Sequence, residues 1–145
     1  MPRRRAWPEL SVLQWRIVAE TLVMLPLTAA ALRIIGLRTL QALLGSSSPP
    51  RATVTESVRK EARSIAHLIR RVARRFPLRA SCLQQSLVLC WQLRRRGIPS
   101  VVKIGVRKEV DALQAHAWVT CGDVVLADLS DVGQRFTPFS HLHQG

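Results

Sequence analysis

The sequence has too little cysteine to be held together by disulfides. Its 145 residues contain three, Cys82, Cys90 and Cys121. An odd number at wide spacing makes no disulfide framework. The absence of a tight C-x-x-C pair argues against a zinc site built from these cysteines and His116. The start, "MPRRRAWPELSVLQW", lacks the compact apolar core and small-residue cleavage site of a signal peptide, so the expected compartment is a reducing cytoplasm. Lysine is also scarce, limited to Lys60, Lys103 and Lys108, so arginine carries most of a formal net charge of +13. That charge attracts acidic partners in general: nucleic acid, anionic lipid or an acidic peptide. Before Phe76, where most of the excess lies, the only aromatics are Trp7 and Trp15, both ahead of Arg16, so none interleaves with the arginines that follow, and no nucleic-acid motif is present. These arginines read mainly as solvated helix faces, and no nucleic-acid partner is expected.

What is present is apolar and ordered. Hydrophobic residues make up 48% of the chain, enough to bury a core without disulfides. "IVAETLVMLPLTAAALRIIG", residues 17–36, is long enough to span a bilayer, but it contains Glu20, Pro26 and Arg33. The alternative is a helical pair hinged near Pro26 and buried on the rest of the chain, on a partner or in a membrane interface. "GSSSPP", residues 45–50, reads as a linker. The expected organisation is an apolar helical segment (1–45), a linker (46–52) and a second domain (53–145).

In that second domain "TVTE" places Thr53 and Glu56 at capping-box spacing. Val54, Val58, Ala62, Ile65, Leu68, Ile69 and Val72 then recur at helical spacing up to Pro77. His67 in this helix has no metal-ligating neighbour at helical spacing and is expected at the surface or its boundary. A second helix opens "SCLQQSLVLCWQLRRRGIP", with Leu83, Leu87, Cys90 and Leu93 as its apolar stripe. Arg94, Arg95 and Arg96 lie at the negative end of its dipole, Gly97 supplies a C-cap and Pro99 prevents extension. The period then changes from 3.6 to 2. "PSVVKIGVRK", "LQAHAWVT" and "VVLAD" read as strands, the last two joined around Cys121, Gly122 and Asp123. Two helices followed by three strands predict an α+β domain, with an antiparallel sheet against the second helix.

Cys82 at a helix start is either a small buried hydrophobe or a nucleophile whose thiolate the helix N-terminus favours. The strands supply His116 and then Asp128. An imidazole beside the thiol can hold the ion pair and protonate a leaving amine, and a carboxylate can orient the ring. Order and placement are better evidence for this catalytic reading than composition, but on periodicity and spacing alone a structural Cys82 outweighs it.

"SCLQQSLVLCWQLRRRGIPSVVKIGVRK" followed by "AHAWVTCGDVVLAD" resembles the leader peptidases of lasso-peptide biosynthesis, a bacterial transglutaminase-like family. The resemblance covers roughly residues 52–140 and implies a papain-like core, with a nucleophile-bearing helix on a small antiparallel sheet. It implies a catalytic triad of Cys82, His116 and Asp128, with no cofactor or metal. It further implies a precursor peptide as substrate, a separate small leader-recognition protein as partner, and an ATP-dependent lasso cyclase acting on the released core peptide. Thr120 departs from the pattern, standing where an acidic residue often follows His-Ala-Trp-Val. A catalytically inactive transglutaminase-like scaffold in a membrane-associated assembly is the alternative.

The surrounding residues carry further expectations. Cys90 belongs to the core, and Cys121, at a turn, is expected to be exposed or incidental. Trp118 either shields the triad or simply fills the core. Asp131 rivals Asp128 as third member. Arg79 and Ser81 line the cleft or cap the helix. The Cys82 N–H is an oxyanion donor, and Gln84 and Gln85 are candidates for the second. His141 and His143 read as a tail. Finally, a three-residue loop at 121–123 would pair Thr120 with Val124 and place His116 opposite Asp128. A two-residue loop would turn Asp128 to the other face, because a one-residue slip flips every side chain. An odd-length loop with Gly122 at positive φ is therefore expected.

Overall fold

The computed structural model describes residues 9–43, 53–76, 80–126 and 137–138. Four helices and four strands follow in order: α1 (Val12–Ile34), α2 (Gly36–Leu43), α3 (Glu56–Arg75), α4 (Cys82–Arg95), β1 (Val101–Lys108), β2 (Leu113–Cys121), β3 (Val124–Leu126) and β4 (Thr137–Pro138). The strands form one antiparallel sheet in the order β3-β2-β1-β4. The α+β architecture expected from the change of period is present, with α4 packed on β2 and β1.

α1 begins at a complete capping box. Ser11 Oγ accepts from the Gln14 N–H, and Gln14 Oε1 accepts from the Ser11 N–H. The expected hinge at Pro26 does not occur, because the helix runs through it to Ile34. Pro26 is on the exposed face, so the carbonyl that loses its helical donor is not trapped in the core. The break comes instead at Ile35 and at Gly36, whose φ of 77° suits only glycine well. Ile17, Val18, Thr21 and Leu25 are buried, and α1 packs against both α3 and α4. The opposite face stays apolar and exposed through Val12, Trp15, Val23, Leu27 and Ile34. α1 is long and apolar enough to cross a membrane (mean hydropathy 1.7), a property shared by core helices and membrane-associated ones.

α3 starts two residues later than the capping-box spacing implied. Its N-cap is Thr55, whose hydroxyl turns to Ser57 Oγ, so no side-chain cap forms at Thr53 or Thr55. The inward row is the expected one: Ala62, Ile65, Leu68, Ile69 and Val72 are buried, joined by Ala66 and Ala73. His67 is exposed, as anticipated. α4 ends where Gly97 adopts φ 73° and the Ile98 N–H returns to the Leu93 carbonyl at 3.0 Å.

The hairpin corrects the register expected from the sequence. Cys121 pairs with Val124, Thr120 with Val125 and Val119 with Leu126, which leaves a two-residue turn of Gly122 and Asp123. Two-residue turns match the right-handed twist of the flanking strands, and Gly122 at φ 59° supplies the positive φ that such a turn needs. Cys121 is consequently a ladder residue, fully buried beside Val119 in the core rather than exposed at a turn. Cys90 is in the core as expected, with Ser100 against its thiol.

Candidate functional site

Cys82 is the first residue of α4 and is half-buried. Its position follows from the cap before it. Ser81 is the N-cap with extended backbone (φ −66°, ψ 161°); its Oγ accepts from the Gln84 N–H at 3.2 Å, and its own N–H donates to Gln84 Oε1 at 2.8 Å. Ser81 is therefore a cap. The Gln85 N–H starts the helical ladder by donating to the Ser81 carbonyl. The helix itself leaves the N–H groups of its first residues, Cys82 and Leu83, without an internal acceptor. An anion at this end would meet those donors and the positive end of the helix dipole. The two glutamine candidates for the oxyanion site are engaged locally: Gln84 in the capping box and Gln85 Nε2 on the Ala80 carbonyl at 3.0 Å.

His116 lies on β2, directly opposite Gly105 of β1, so no side chain from that position crowds the ring. It stacks on Trp118 two residues on, with ring centroids 6.3 Å apart and planes 19° from parallel. Trp118 is buried, so its indole supports the imidazole and fills space at once. Strand alternation puts His116, Trp118 and Thr120 on one row of β2, and Ala117, Val119 and Cys121 on the other.

Cys82 and His116 border one cleft of about 250 Å³. α3 contributes Ala66, Ile69, Arg70 and Arg74 to its walls; α4 adds Gln85, Ser86 and Leu89, and the sheet adds Ala117, Trp118, Val119 and Leu126. Among the described residues no hydrogen bond joins the thiol to the ring; such bonds commonly tighten only when substrate binds. The other two cysteines are poor nucleophiles here. Both are buried, and burial pushes the Cys121 thiol up from its ordinary value against the pull of Arg59.

Asp128, Asp131, Arg79, His141 and His143 lie outside the described residues. The described ladder ends at Leu126, and unbroken continuation of its register would pair His116 with position 129 rather than 128. Arg70 and Arg74 on the cleft wall are what the sequence reading passed over. They were absorbed into a basic helix surface, and only the packing of α3 beside α4 separates them from it.

A half-buried thiol at a capped helix start and a histidine on an antiparallel strand thus border the same cleft. The chain belongs to the transglutaminase-like superfamily, whose family model matches residues 23–141, and this superfamily includes cysteine peptidases. The match begins within α1. Comparison with curated proteins and with solved structures returns no match.

Proposed function

We propose that the protein is a cysteine peptidase that removes the leader from a ribosomally made lasso-peptide precursor. The observation carrying this reading is the placement of Cys82 at the first position of a capped helix, on a cleft shared with His116. The motif resemblance supplies the substrate class. In this mechanism the Cys82 thiolate attacks the scissile carbonyl carbon, forming a C–S bond and an oxyanion held by the Cys82 N–H. The C–N bond then breaks as His116 gives its proton to the leaving amine, leaving a thioester. Water, losing a proton to His116, attacks the thioester, and the carboxylate product and the thiol are released. Asp128 orients the imidazole.

The enzyme acts with a separate small leader-recognition protein and hands the core peptide to an ATP-dependent cyclase. The site is cytoplasmic, with the exposed apolar face of α1 available for membrane association. The test mixes the protein with precursor and leader-recognition protein and follows leader release by mass spectrometry. Release that requires Cys82 and His116 supports the reading, and full release by Cys82→Ala overturns it.

A second reading, an inactive scaffold in a membrane-associated assembly, is favoured by the exposed apolar face of α1. It predicts that Cys82 alkylates with the pH dependence of an ordinary thiol, and that His116→Ala leaves that dependence unmoved.

A further inference from the structure

α1 keeps one apolar face turned out of the protein. Ala19, Leu22, Val23, Pro26, Leu27 and Ala30 are exposed on it. Between Arg16 and Arg33 the helix has a single ionisable side chain, Glu20, which meets Arg95 and Arg96 of α4 at 3.5 and 3.7 Å. The outward face between those two arginines is therefore uncharged over about 25 Å. A groove of about 170 Å³ opens beside it between α1 and α4, bordered by Met24, Leu27, Thr28, Ala31, Leu87 and Trp91. The Thr28 hydroxyl already donates to the Met24 carbonyl at 2.7 Å, and Arg95 holds a guanidinium over the Trp91 ring. Apolar surface of this extent marks an interface. The inward face of α1 is committed to the domain: Ile17, Val18 and Leu25 belong to the core, so the helix cannot cross a bilayer without opening that core. Pro26 also leaves the Leu22 carbonyl without its helical donor. Hydrocarbon offers no replacement donor, whereas the hydrated headgroup layer does.

We infer that this face seats the protein on an anionic bilayer, with α1 lying in the plane of the headgroup boundary rather than spanning the membrane. Charge complementarity selects the occupant. Residues 1–45 carry Arg3, Arg4, Arg5, Arg16, Arg33 and Arg38 against Glu9 and Glu20, and Glu20 is turned to α4. An apolar helix face within a basic segment matches acyl chains beneath anionic headgroups. From 17 to 32 every exposed side chain of α1 is apolar, so that stretch has no exposed polar side chain to fix the register of a protein partner. A lipid surface needs no register, whereas protein interfaces ordinarily carry hydrogen bonds among their apolar contacts. The inference is independent of the peptidase reading and holds whether or not Cys82 is catalytic.

Vesicle flotation of the full-length chain tests it. The protein should float with mixed phosphatidylglycerol–phosphatidylcholine vesicles, float far less with phosphatidylcholine alone, and come off the mixed vesicles as salt is added. Val23 and Leu27 are 56% and 52% exposed, so Val23→Glu and Leu27→Glu should leave the fold intact, as checked by circular dichroism, while each cuts binding by about tenfold. Val110→Glu makes the same change of charge between β1 and β2, at a residue 98% exposed, and should change binding far less. Arg33→Gln should weaken binding by about fivefold and flatten its salt dependence. No binding to the mixed vesicles, or binding that neither glutamate variant on α1 reduces, overturns the inference. So does binding that survives both high salt and alkaline extraction, which would mean a spanning helix. Two further results would assign the face to protein and overturn it equally: a dimer in light scattering, or capture of the leader-recognition protein without vesicles, that Val23→Glu abolishes. The peptidase reading fails separately, by an uncut precursor while vesicle binding persists; if this inference fails instead, leader release in vesicle-free solution is untouched.

Discussion

The two ends of α4 are built oppositely. At its C-terminal end almost every charge is tied down. Arg94 donates to the Ser100 carbonyl through Nε and Nη2 at 3.2 and 3.1 Å, Arg95 lies over the Trp91 ring at 4.7 Å, and Arg96 reaches the Gln92 carbonyl. Glu20 of α1 meets Arg95 and Arg96 at 3.5 and 3.7 Å while bonding its own neighbour Arg16 at 3.0 Å. At the N-terminal end the helix spends one serine and one glutamine on a cap and presents a half-buried thiol to an open cleft. The contrast separates two uses of helix-end electrostatics. The negative end is neutralised by the protein's own arginines for stability. Among the described residues the positive end instead borders the cleft that Cys82 shares with His116.

The largest effect should come from the open end. Cys82→Ala removes the proposed nucleophile and should cut leader release by about a thousandfold or more in the reconstituted assay. Because Cys82 is half-buried at a helix start, its thermal midpoint should move by no more than about 2 °C. A fall in activity that tracks a fall in folded fraction would make the thiol structural and erase the contrast between the ends.

The next effect belongs to the core beneath the locked end. Leu93 has no exposed surface, and its carbonyl receives the Ile98 N–H at 3.0 Å. Leu93→Ala should cost about 2–5 kcal/mol, the transfer of the lost methyl groups plus the cavity left behind. Urea denaturation followed by far-UV circular dichroism measures it, and a cost below about 1 kcal/mol would show that the C-terminal half of α4 collapses readily.

A smaller change sharpens the comparison at the capped end. Ser81→Ala deletes the acceptor for the Gln84 N–H and should cost about 1 kcal/mol in the same experiment. It should also lower activity more than stability alone predicts, because the cap fixes the direction in which Cys82 leaves the backbone. Equal activity per folded molecule would show that the thiol needs no such positioning.

How far these features could be read from the sequence depended on how many signals agreed. The end of α4 was legible because arginines, Gly97 and Pro99 point to one helix stop for three separate reasons. Cys82 and His116 were legible because a change of period from 3.6 to 2 located both elements. The hairpin register was not, since Cys121-Gly122-Asp123 accommodates two- and three-residue loops and the choice turns on a single residue. At Pro26 the local signal for a break is overridden by the packing of α1 on α3 and α4, which keeps the helix continuous on both sides of it. Arg70 and Arg74 carried no local signal. They resemble every other arginine of α3 until the fold shows which of them border the cleft.

The smallest effect tests whether the locked end is held by charge at all. The hydrogen bond from Arg16 and the guanidinium groups of Arg95 and Arg96 hold the Glu20 carboxyl below its usual value of 4.5, against the opposing effect of burial. A carboxyl so lowered contributes stability that is present above its unfolded value and is lost as pH falls through its folded value. Glu20→Gln should therefore weaken the protein at neutral pH by less than about 1 kcal/mol, since Arg16 and Arg95 are substantially solvated. The difference from wild type should shrink with added salt, and it should vanish once the pH is well below 4.5, where Glu20 is protonated and resembles the amide. Urea midpoints of the two proteins at neutral and acid pH measure this. Equal midpoints at neutral pH would mean that Arg94 on Ser100 and the buried Leu93 hold this end, with the ion pairs only decorating it. A difference persisting undiminished in acid would mean that the substitution acts through packing, and the lock would then be steric rather than electrostatic.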